Sequence, residues 1–190
     1  MRTAAWLTPL LVFTAAAGGP RVSPPFEIMR AGNAQPLKLS AYRGKIVALA
    51  FISTTCPHCQ ELTRELVSMA GQYQARGVQI LECAINPTAK EDVPGFVAQF
   101  RPPFPVGYSD QFSVDTYLGR AHDDPHVFYV PHLVFIARGG WIQGDFAGES
   151  DFILHAADNT RVELDTLLKA EPPPVKSVSP AGASSSPSHP

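Results

Sequence analysis

The sequence is poor in cysteine and has no excess of positive charge. Its three cysteines are too few for a small protein held together by disulfides. The 15 Lys and Arg residues are balanced by 17 Asp and Glu, and the formal charge of -2 provides no broad basic face for phosphate backbones. We therefore expect no nucleic-acid partner. The 45% of hydrophobic residues is enough for one domain of ordinary size, which we place at residues 22–170.

The amino terminus has the pattern of an export signal. Arg2 precedes an apolar run from Ala4 to Ala17, which ends in three small residues. The run is shorter than the roughly 20 residues needed to span a bilayer. We predict that residues 1–19 form a signal peptide or an N-terminal anchor. The protein would then be periplasmic, or tethered to the membrane and facing the periplasm, where a cysteine pair can hold a disulfide.

The carboxyl terminus, EPPPVKSVSPAGASSSPSHP, consists mainly of proline, serine, alanine and glycine. Such a segment has almost no apolar side chain to bury, so its composition predicts a disordered tail over residues 171–190. A proline-rich ligand for a partner domain is the alternative interpretation. Neither interpretation adds a second folded domain.

The central part of the chain begins with strand and helix patterns in alternation. The run KIVALAFIS is almost entirely apolar and predicts a strand from Lys45 to Ser53 that is buried on both faces. Apolar residues then recur at intervals of three and four, which predicts a helix from Pro57 to about Ala75. The segment GVQILECAIN predicts a second buried strand. This order indicates parallel strands joined by helical crossovers.

The later segments complete an α/β fold with a central mixed sheet flanked by helices. A short helix is expected to begin at Asp92 and Pro94, and HLVFIARGGWIQGDFAG predicts an antiparallel hairpin that turns at its paired glycines. A last helix is expected at about 150–169, with a weak point at 158–160. The residues expected to be buried on it are Phe152, Leu154, Val162, Leu164, Leu167 and Leu168.

The motif CPHC places Cys56 at the start of a predicted helix and Cys59 one turn further in. Unpaired backbone N–H groups and the helix dipole favour a thiolate at the first position, so Cys56 is the expected nucleophile. Pro57 suits the first helical turn, and a protonated His58 would add positive charge near the sulfur. Cys59 is shielded by the helix and is the expected resolving thiol, which attacks a mixed disulfide on Cys56.

Two structural interpretations of the cysteine pair are weaker. A zinc site needs four ligands, but the chain offers neither a second CxxC motif nor a paired histidine motif at suitable spacing. A structural disulfide that closes so short a loop would add little stability. Spacing and position therefore favour catalysis. Cys83, at the end of the second predicted strand, is expected to be a small apolar core residue.

The segments LKLSAYRGKIVALAFISTTCPHC and YVPHLVFIARGGWIQGDFAG carry a further signal. Together they resemble the thioredoxin-like, TlpA-type (redoxin) thiol-disulfide oxidoreductases that bacteria export, and the resemblance extends over about residues 25–168. It implies a thioredoxin-like fold with an N-terminal extension and a cis-proline at Pro131. Val130 and Pro131 would lie beside the cysteines and present a backbone edge to the substrate.

The resemblance also implies what the protein acts on. Its substrates would be protein thiols or disulfides. Its electrons would pass to or from a redox partner protein, which could be membrane-bound. The chemistry requires no organic cofactor and no metal, and we expect a monomer. These expectations concern the family and do not identify one substrate.

The direction of electron flow stays open at this point. The dipeptide between the cysteines, Pro57-His58, resembles that of the strongly oxidising DsbA proteins. DsbA proteins also have valine before the cis-proline, as Val130 precedes Pro131 here. However, Ala50 occupies the position six before Cys56, where thioredoxins carry a buried acid. Leu62 stands three after Cys59, where many TlpA-type reductases carry glutamate. A long helical insert of the DsbA type is also missing.

Two other functions are alternatives. His122, His126 and His132 stand close together in GRAHDDPHVFYVPH, and with the cysteines they could bind copper(I), as copper-delivery proteins of a related fold do. Those copper-delivery proteins typically have a CxxxC motif, whereas this chain has CxxC. A peroxiredoxin-like thiol peroxidase needs a proline and a threonine before its reactive cysteine, but Leu49 and Ser53 occupy those places.

Overall fold

The computed structural model describes residues 19–31 and 35–170. The predicted tail and all of the predicted signal segment except Gly19 lie outside the described residues, so both stay predictions. The elements in chain order are β1 (Arg21–Val22), β2 (Glu27–Ile28), β3 (Leu37–Lys38), a 3-10 helix (Leu39–Tyr42), β4 (Ile46–Ile52), α1 (Pro57–Gln74), β5 (Val78–Ala84), α2 (Ala89–Phe100), β6 (Val106–Tyr108), α3 (Gln111–Leu118), β7 (His132–Ile136), β8 (Trp141–Phe146), α4 (Asp151–Leu154) and α5 (Ala156–Lys169).

A mixed sheet of six strands forms the centre of the domain, in the order β1-β8-β7-β4-β5-β6. β5 lies parallel to both β4 and β6, while β7 is antiparallel to its neighbours β4 and β8. β4 is buried at every residue, which explains why its sequence is an unbroken apolar run. The structure thus confirms the predicted α/β fold with a mixed sheet flanked by helices.

The side chains of the sheet alternate between two apolar cores. We call one side the α1 face; its core joins the sheet to α1, α2 and α5 and includes Ala48, Ala50, Ile80, Leu66, Phe96 and Leu164. We call the other side the α3 face; its core joins the sheet to the N-terminal segment and α3 and includes Val47, Leu49, Phe51, Phe26, Val114 and Tyr117. A strand residue therefore belongs to one face or the other according to its parity.

The N-terminal segment attaches to both edges of the sheet. β1 pairs with β8 at one edge. At the other edge Met29 and Tyr108 exchange two backbone hydrogen bonds of 2.8 Å each. Gly107 allows this close approach, because a Cβ atom added there would lie 2.2 Å from the Met29 carbonyl oxygen.

The second long helix begins earlier than the sequence predicted. α2 starts at Ala89, because the Thr88 carbonyl accepts hydrogen bonds from the N–H groups of Glu91 and Asp92. Asp92 therefore lies in the first turn rather than before it. Pro94 stands inside the helix, where its missing N–H removes one helical hydrogen bond without ending the helix.

The C-terminal helical region breaks at His155 instead of at 158–160. α4 ends at Leu154 and α5 begins at Ala156. Leu154 and Val162 were predicted to be buried but are 75% and 65% exposed, whereas Leu164 is fully buried as predicted. Val162 stands two residues before Leu164, so the two side chains lie about 200° apart around the helix and cannot both face the core.

The predicted hairpin of β7 and β8 is confirmed, but several short elements, β6 and α3 among them, were not predicted. Gly140 in the hairpin turn has a φ of 83°, a conformation that glycine adopts without strain. β6 has three residues and α3 has eight, which is too short for a clear periodic pattern. Over residues 19–31 and 35–170, the structure contains no helix long and apolar enough to cross a membrane.

Candidate functional site

The two cysteines of the CPHC motif lie at the end of β4 where α1 begins. Cys56 is the residue immediately before α1 and has an extended backbone, while Pro57 is the first helical residue. Cys56 is partly exposed, whereas Cys59 is fully buried; both are free thiols. The structure thus gives the two cysteines the different accessibility that their predicted roles require.

Cys59 is held as a thiol by its surroundings. Its Sγ accepts a hydrogen bond of 3.4 Å from the backbone N–H of Ser53. Burial raises the pKa of Cys59 strongly; the Ser53 hydrogen bond opposes this rise, and the neighbouring Cys56 and Glu82 add to it. Its thiol proton must therefore be removed before this sulfur can attack another.

Cys56 faces the segment that precedes β7. Its Sγ lies 3.9 Å from the carbonyl oxygen of Val130, and the Val130–Pro131 peptide bond is cis, as the resemblance predicted. His58 is exposed and lines a groove together with Leu62, Pro131, Ile153 and His155. The residues predicted to support the cysteines therefore lie in one region, although their roles stay predictions.

A polar network that the sequence did not suggest ties the loop before Cys56 to α2. The Thr54 backbone N–H donates to the Asn86 side-chain oxygen at 3.0 Å, and the Thr54 hydroxyl lies 3.0 Å from Asp92 Oδ2. Hydrogen bonds from Thr88 and Thr54 hold the pKa of Asp92 below its usual value. These hydrogen bonds connect the loop that carries the partly exposed thiol to the start of α2.

Glu82 is a second feature that the sequence analysis did not identify. It is fully buried in β5 on the α1 face, and its register partner in β4 is Ala50. Glu82 Oε1 and the Thr63 hydroxyl oxygen are 2.8 Å apart and hydrogen-bonded, while Oε2 has no partner in the described part of the chain. Burial raises the pKa of Glu82 to about 8, although the Thr63 hydrogen bond opposes the rise. In the sequence, the one sign of a buried carboxyl group was a single glutamate within the mainly apolar segment VQILECA.

On the opposite face of the sheet, His132, which directly follows the cis-proline, is buried and contacts Asp145, which also pairs with Arg21. His132 Nε2 and Asp145 Oδ1 are 2.6 Å apart, and Arg21 donates to Asp145 Oδ2 at 2.6 Å. Burial alone would raise the pKa of Asp145, but the contacts with His132 and Arg21 hold it below its usual value. The His132 ring also stacks on Phe128, at 5.1 Å between ring centroids.

The three histidines considered as copper ligands have separate environments. His122 stacks on Phe112 at 3.8 Å, His126 contacts Asp124 at 2.7 Å, and His132 is buried. In the two described ranges, no group of three or more His, Cys, Asp or Glu side chains could hold a metal ion. The predicted core position of Cys83 is confirmed, because it is fully buried on the α3 face.

Comparison with known proteins adds a family and several structural neighbours. A family model described as the AhpC/TSA family matches residues 21–144. Curated protein sequences give no significant match. A thiol:disulfide interchange protein of the thioredoxin family from Chlorobium tepidum is 19% identical, with a TM-score of 0.61 over 78% of this chain and 99% of that chain.

Two further solved structures agree with this neighbour. The thioredoxin domain of a thiol-disulfide oxidoreductase from Bacteroides vulgatus is 16% identical, with a TM-score of 0.56 over 74% of this chain and 95% of that chain. An uncharacterized conserved protein from Geobacillus kaustophilus is 19% identical, with a TM-score of 0.65 over 84% of this chain and 86% of that chain. At these identities the likenesses show a thioredoxin-like fold and nothing finer.

Proposed function

Because this chain belongs to the AhpC/TSA family and has a thioredoxin-like fold, we propose that it is a thiol-disulfide oxidoreductase that exchanges disulfides with proteins through Cys56 and Cys59. One observation carries the proposal. A partly exposed thiol stands at the start of a long helix, and a fully buried thiol stands one turn inside that helix. A substrate can reach Cys56 Sγ directly, whereas Cys59 Sγ can react only with a mixed disulfide that Cys56 has already formed.

In the first step the Cys56 thiolate attacks one sulfur of a substrate disulfide. A bond forms between Cys56 and that sulfur, the substrate S–S bond breaks, and the other substrate sulfur leaves with the electron pair as a thiolate. The Cys56 position at the start of α1 supports this role, because unpaired backbone N–H groups there stabilise negative charge. A positive charge on His58 would assist in the same way.

In the second step Cys59 loses its proton and attacks Cys56. The bond between Cys56 and the substrate breaks, and the second substrate sulfur leaves as a thiolate. The cysteine pair has then lost two electrons and the substrate disulfide has gained them. Run in reverse, the same steps donate a disulfide to a substrate dithiol, which is the direction that the CPHC dipeptide and Val130 support.

The groove beside Cys56 is the proposed docking site for the substrate. Val130, whose carbonyl oxygen lies 3.9 Å from Cys56 Sγ, would offer backbone hydrogen bonds to an extended segment of the substrate protein. The apolar side chains of Leu62, Pro131 and Ile153 line the groove, and Ile153 is the most exposed of the three. We place the protein outside the cytoplasm, on the basis of its N-terminal pattern, with a separate redox partner protein.

Three serine variants test the proposed function on a protein disulfide such as insulin. Cys56→Ser is expected to lose exchange activity completely, because it removes the attacking sulfur. Cys59→Ser is expected to form a mixed disulfide that persists and adds the mass of the substrate chain. Cys83→Ser is the matched control, because Cys83 is equally buried but on the opposite face, and it should keep the wild-type rate. Activity that survives in Cys56→Ser would contradict the proposal.

A further inference from the structure

Glu82 is a buried carboxyl group that the two exchange steps leave unused. It lies on the α1 face below Cys59, and its charge is among the influences that raise the pKa of Cys59. Thr63 stands between the two residues, with its hydroxyl 2.9 Å from the Cys59 carbonyl oxygen and 2.8 Å from Glu82 Oε1. A thiol that must lose a proton and a carboxyl group able to take one therefore share one small part of the core.

The Thr63 contacts distinguish the two protonation states of Glu82. A hydroxyl group has one proton, so Thr63 can donate to Glu82 or to the Cys59 carbonyl but not to both. Both contacts are hydrogen bonds only when Glu82 is protonated and donates to Thr63, which then donates to Cys59. In the carboxylate form Thr63 turns to Oε1, and Oε2 is left as a free buried acceptor.

The surroundings allow one negative charge in this region but not two. The strand neighbours of Glu82 at the same register are Ala50 and Val106, and the α2 side chains buried in this core, which are Ala89, Val93 and Phe96, are apolar as well. Cys59 of α1 is the titratable group that faces Glu82 here. Among the described residues no cationic group offsets a second negative charge here, so a proton that leaves Cys59 is taken up favourably by the Glu82 carboxylate.

Building on the proposed function, we propose that Glu82 accepts the proton of Cys59 in the resolving step and returns it when the disulfide is reduced. The proton passes from Cys59 Sγ to the Glu82 carboxylate, which becomes neutral. The resulting Cys59 thiolate forms the bond to Cys56 Sγ, and the sulfur of the substrate leaves Cys56 with the electron pair. In the reverse direction, neutral Glu82 gives its proton to the departing Cys59 thiolate.

The aromatic disulfide dithiobis(nitrobenzoate) separates the two steps in stopped-flow absorbance. One coloured thiolate is released when Cys56 attacks the reagent, and a second is released when Cys59 closes the disulfide. In Glu82→Gln we expect the first phase to be unchanged and the second to slow roughly 10- to 100-fold at neutral pH. Glu91→Gln is the matched control, because Glu91 is exposed in the first turn of α2 and does not line the groove, and both of its phases should equal those of the wild type.

The pH profile of the second phase gives an independent test. In the wild type the rate should rise with pH and level off near pH 8, the pKa of Glu82, whereas in Glu82→Gln it should continue to rise. Glu82→Asp, which keeps a carboxyl group, should recover part of the rate. Thr63→Val keeps Glu82 but removes its hydroxyl partner, so the levelling should move to higher pH.

The outcomes separate this inference from the proposed function. A second phase that is unchanged in Glu82→Gln, or two phases that slow equally, would overturn the role of Glu82 while leaving disulfide exchange intact. A plateau that does not move in Thr63→Val would also overturn it. A wild-type protein that releases no second thiolate would overturn the proposed function and this inference together.

Discussion

Glu82 on the α1 face is fully buried and Asp145 on the α3 face is partly buried, and the pKa values of these two carboxyl groups are shifted in opposite directions. On the α3 face, Asp145 contacts both Arg21 and His132, and its pKa is lowered. On the α1 face, Glu82 has the Thr63 hydroxyl as its one partner among the described residues, and its pKa is raised to about 8. Burial opposes ionisation in both cases, so the presence of a cation decides the protonation state.

The same comparison applies to the two buried cysteines. Burial raises the pKa of Cys59 on one face and of Cys83 on the other, so burial alone does not identify a reactive thiol. What differs is the neighbourhood. Cys59 has a thiol neighbour, Cys56, that reaches the surface, whereas Cys83 is packed among the apolar residues of the α3 face. The partly exposed Cys56 beside Cys59, rather than burial, therefore distinguishes the proposed reactive thiol from Cys83.

The largest expected effect is on the pH dependence of stability through Glu82. The folded state holds a proton up to about pH 8, whereas the unfolded chain releases it near the ordinary glutamate value of 4.5. The free energy of unfolding should therefore fall as pH rises through this window, by on the order of 4–5 kcal/mol. Denaturant unfolding of Glu82→Gln should lack this fall, and the exposed control Glu91→Gln should retain it. An equal fall in Glu82→Gln would remove the contrast between the two carboxyl groups.

The next effect concerns Asp145. Asp145→Ala leaves Arg21 and His132 without their shared partner, and we expect a loss of about 3 kcal/mol in the free energy of unfolding near neutral pH. In the wild type this stabilisation should disappear only when pH falls through the lowered pKa of Asp145, below the usual aspartate range. Asp123→Ala is the control, because Asp123 is exposed, and its effect should stay within about 0.5 kcal/mol. Equal losses in the two variants would count against a structural role for Asp145.

The smallest expected effect is that of Thr63→Val, which should lower the free energy of unfolding by about 1 kcal/mol because a buried hydrogen bond is lost. Thr116→Val provides the comparison. The Thr116 hydroxyl also donates to the carbonyl four residues earlier, at 2.9 Å, but it is exposed. If both variants were destabilised equally, the buried contact with Glu82 would contribute nothing of its own.

Much of the fold follows from local sequence. β4 and β5 are long apolar runs, α1 has a sustained helical period, and the β7–β8 hairpin has a glycine turn, so each could be predicted from its own residues. The places of Cys56 and Cys59 relative to α1 depend on one short motif and were predicted for the same reason. Short elements such as β6 contain too few residues for any period to be visible.

The carboxyl groups could not be placed from the sequence because their partners are distant along the chain. Arg21 and Asp145 are separated by 124 positions, and Thr63 and Glu82 by 19. Which residues meet depends on strand order and register, which tertiary packing sets. Ala50 illustrates the difficulty: the sequence showed no acid at that position, but its register partner in the next strand is Glu82.

The backbone contact of Met29 with the edge strand β6 affects whether separate molecules can associate through their sheets. A strand at the edge of a sheet exposes N–H and C=O groups that can pair with another chain, which is a common route to aggregation. The two hydrogen bonds from Met29 occupy these groups at Tyr108, and the strand at the opposite edge is only two residues long. A side chain at Gly107 would push Met29 away and open the edge of β6 to self-association.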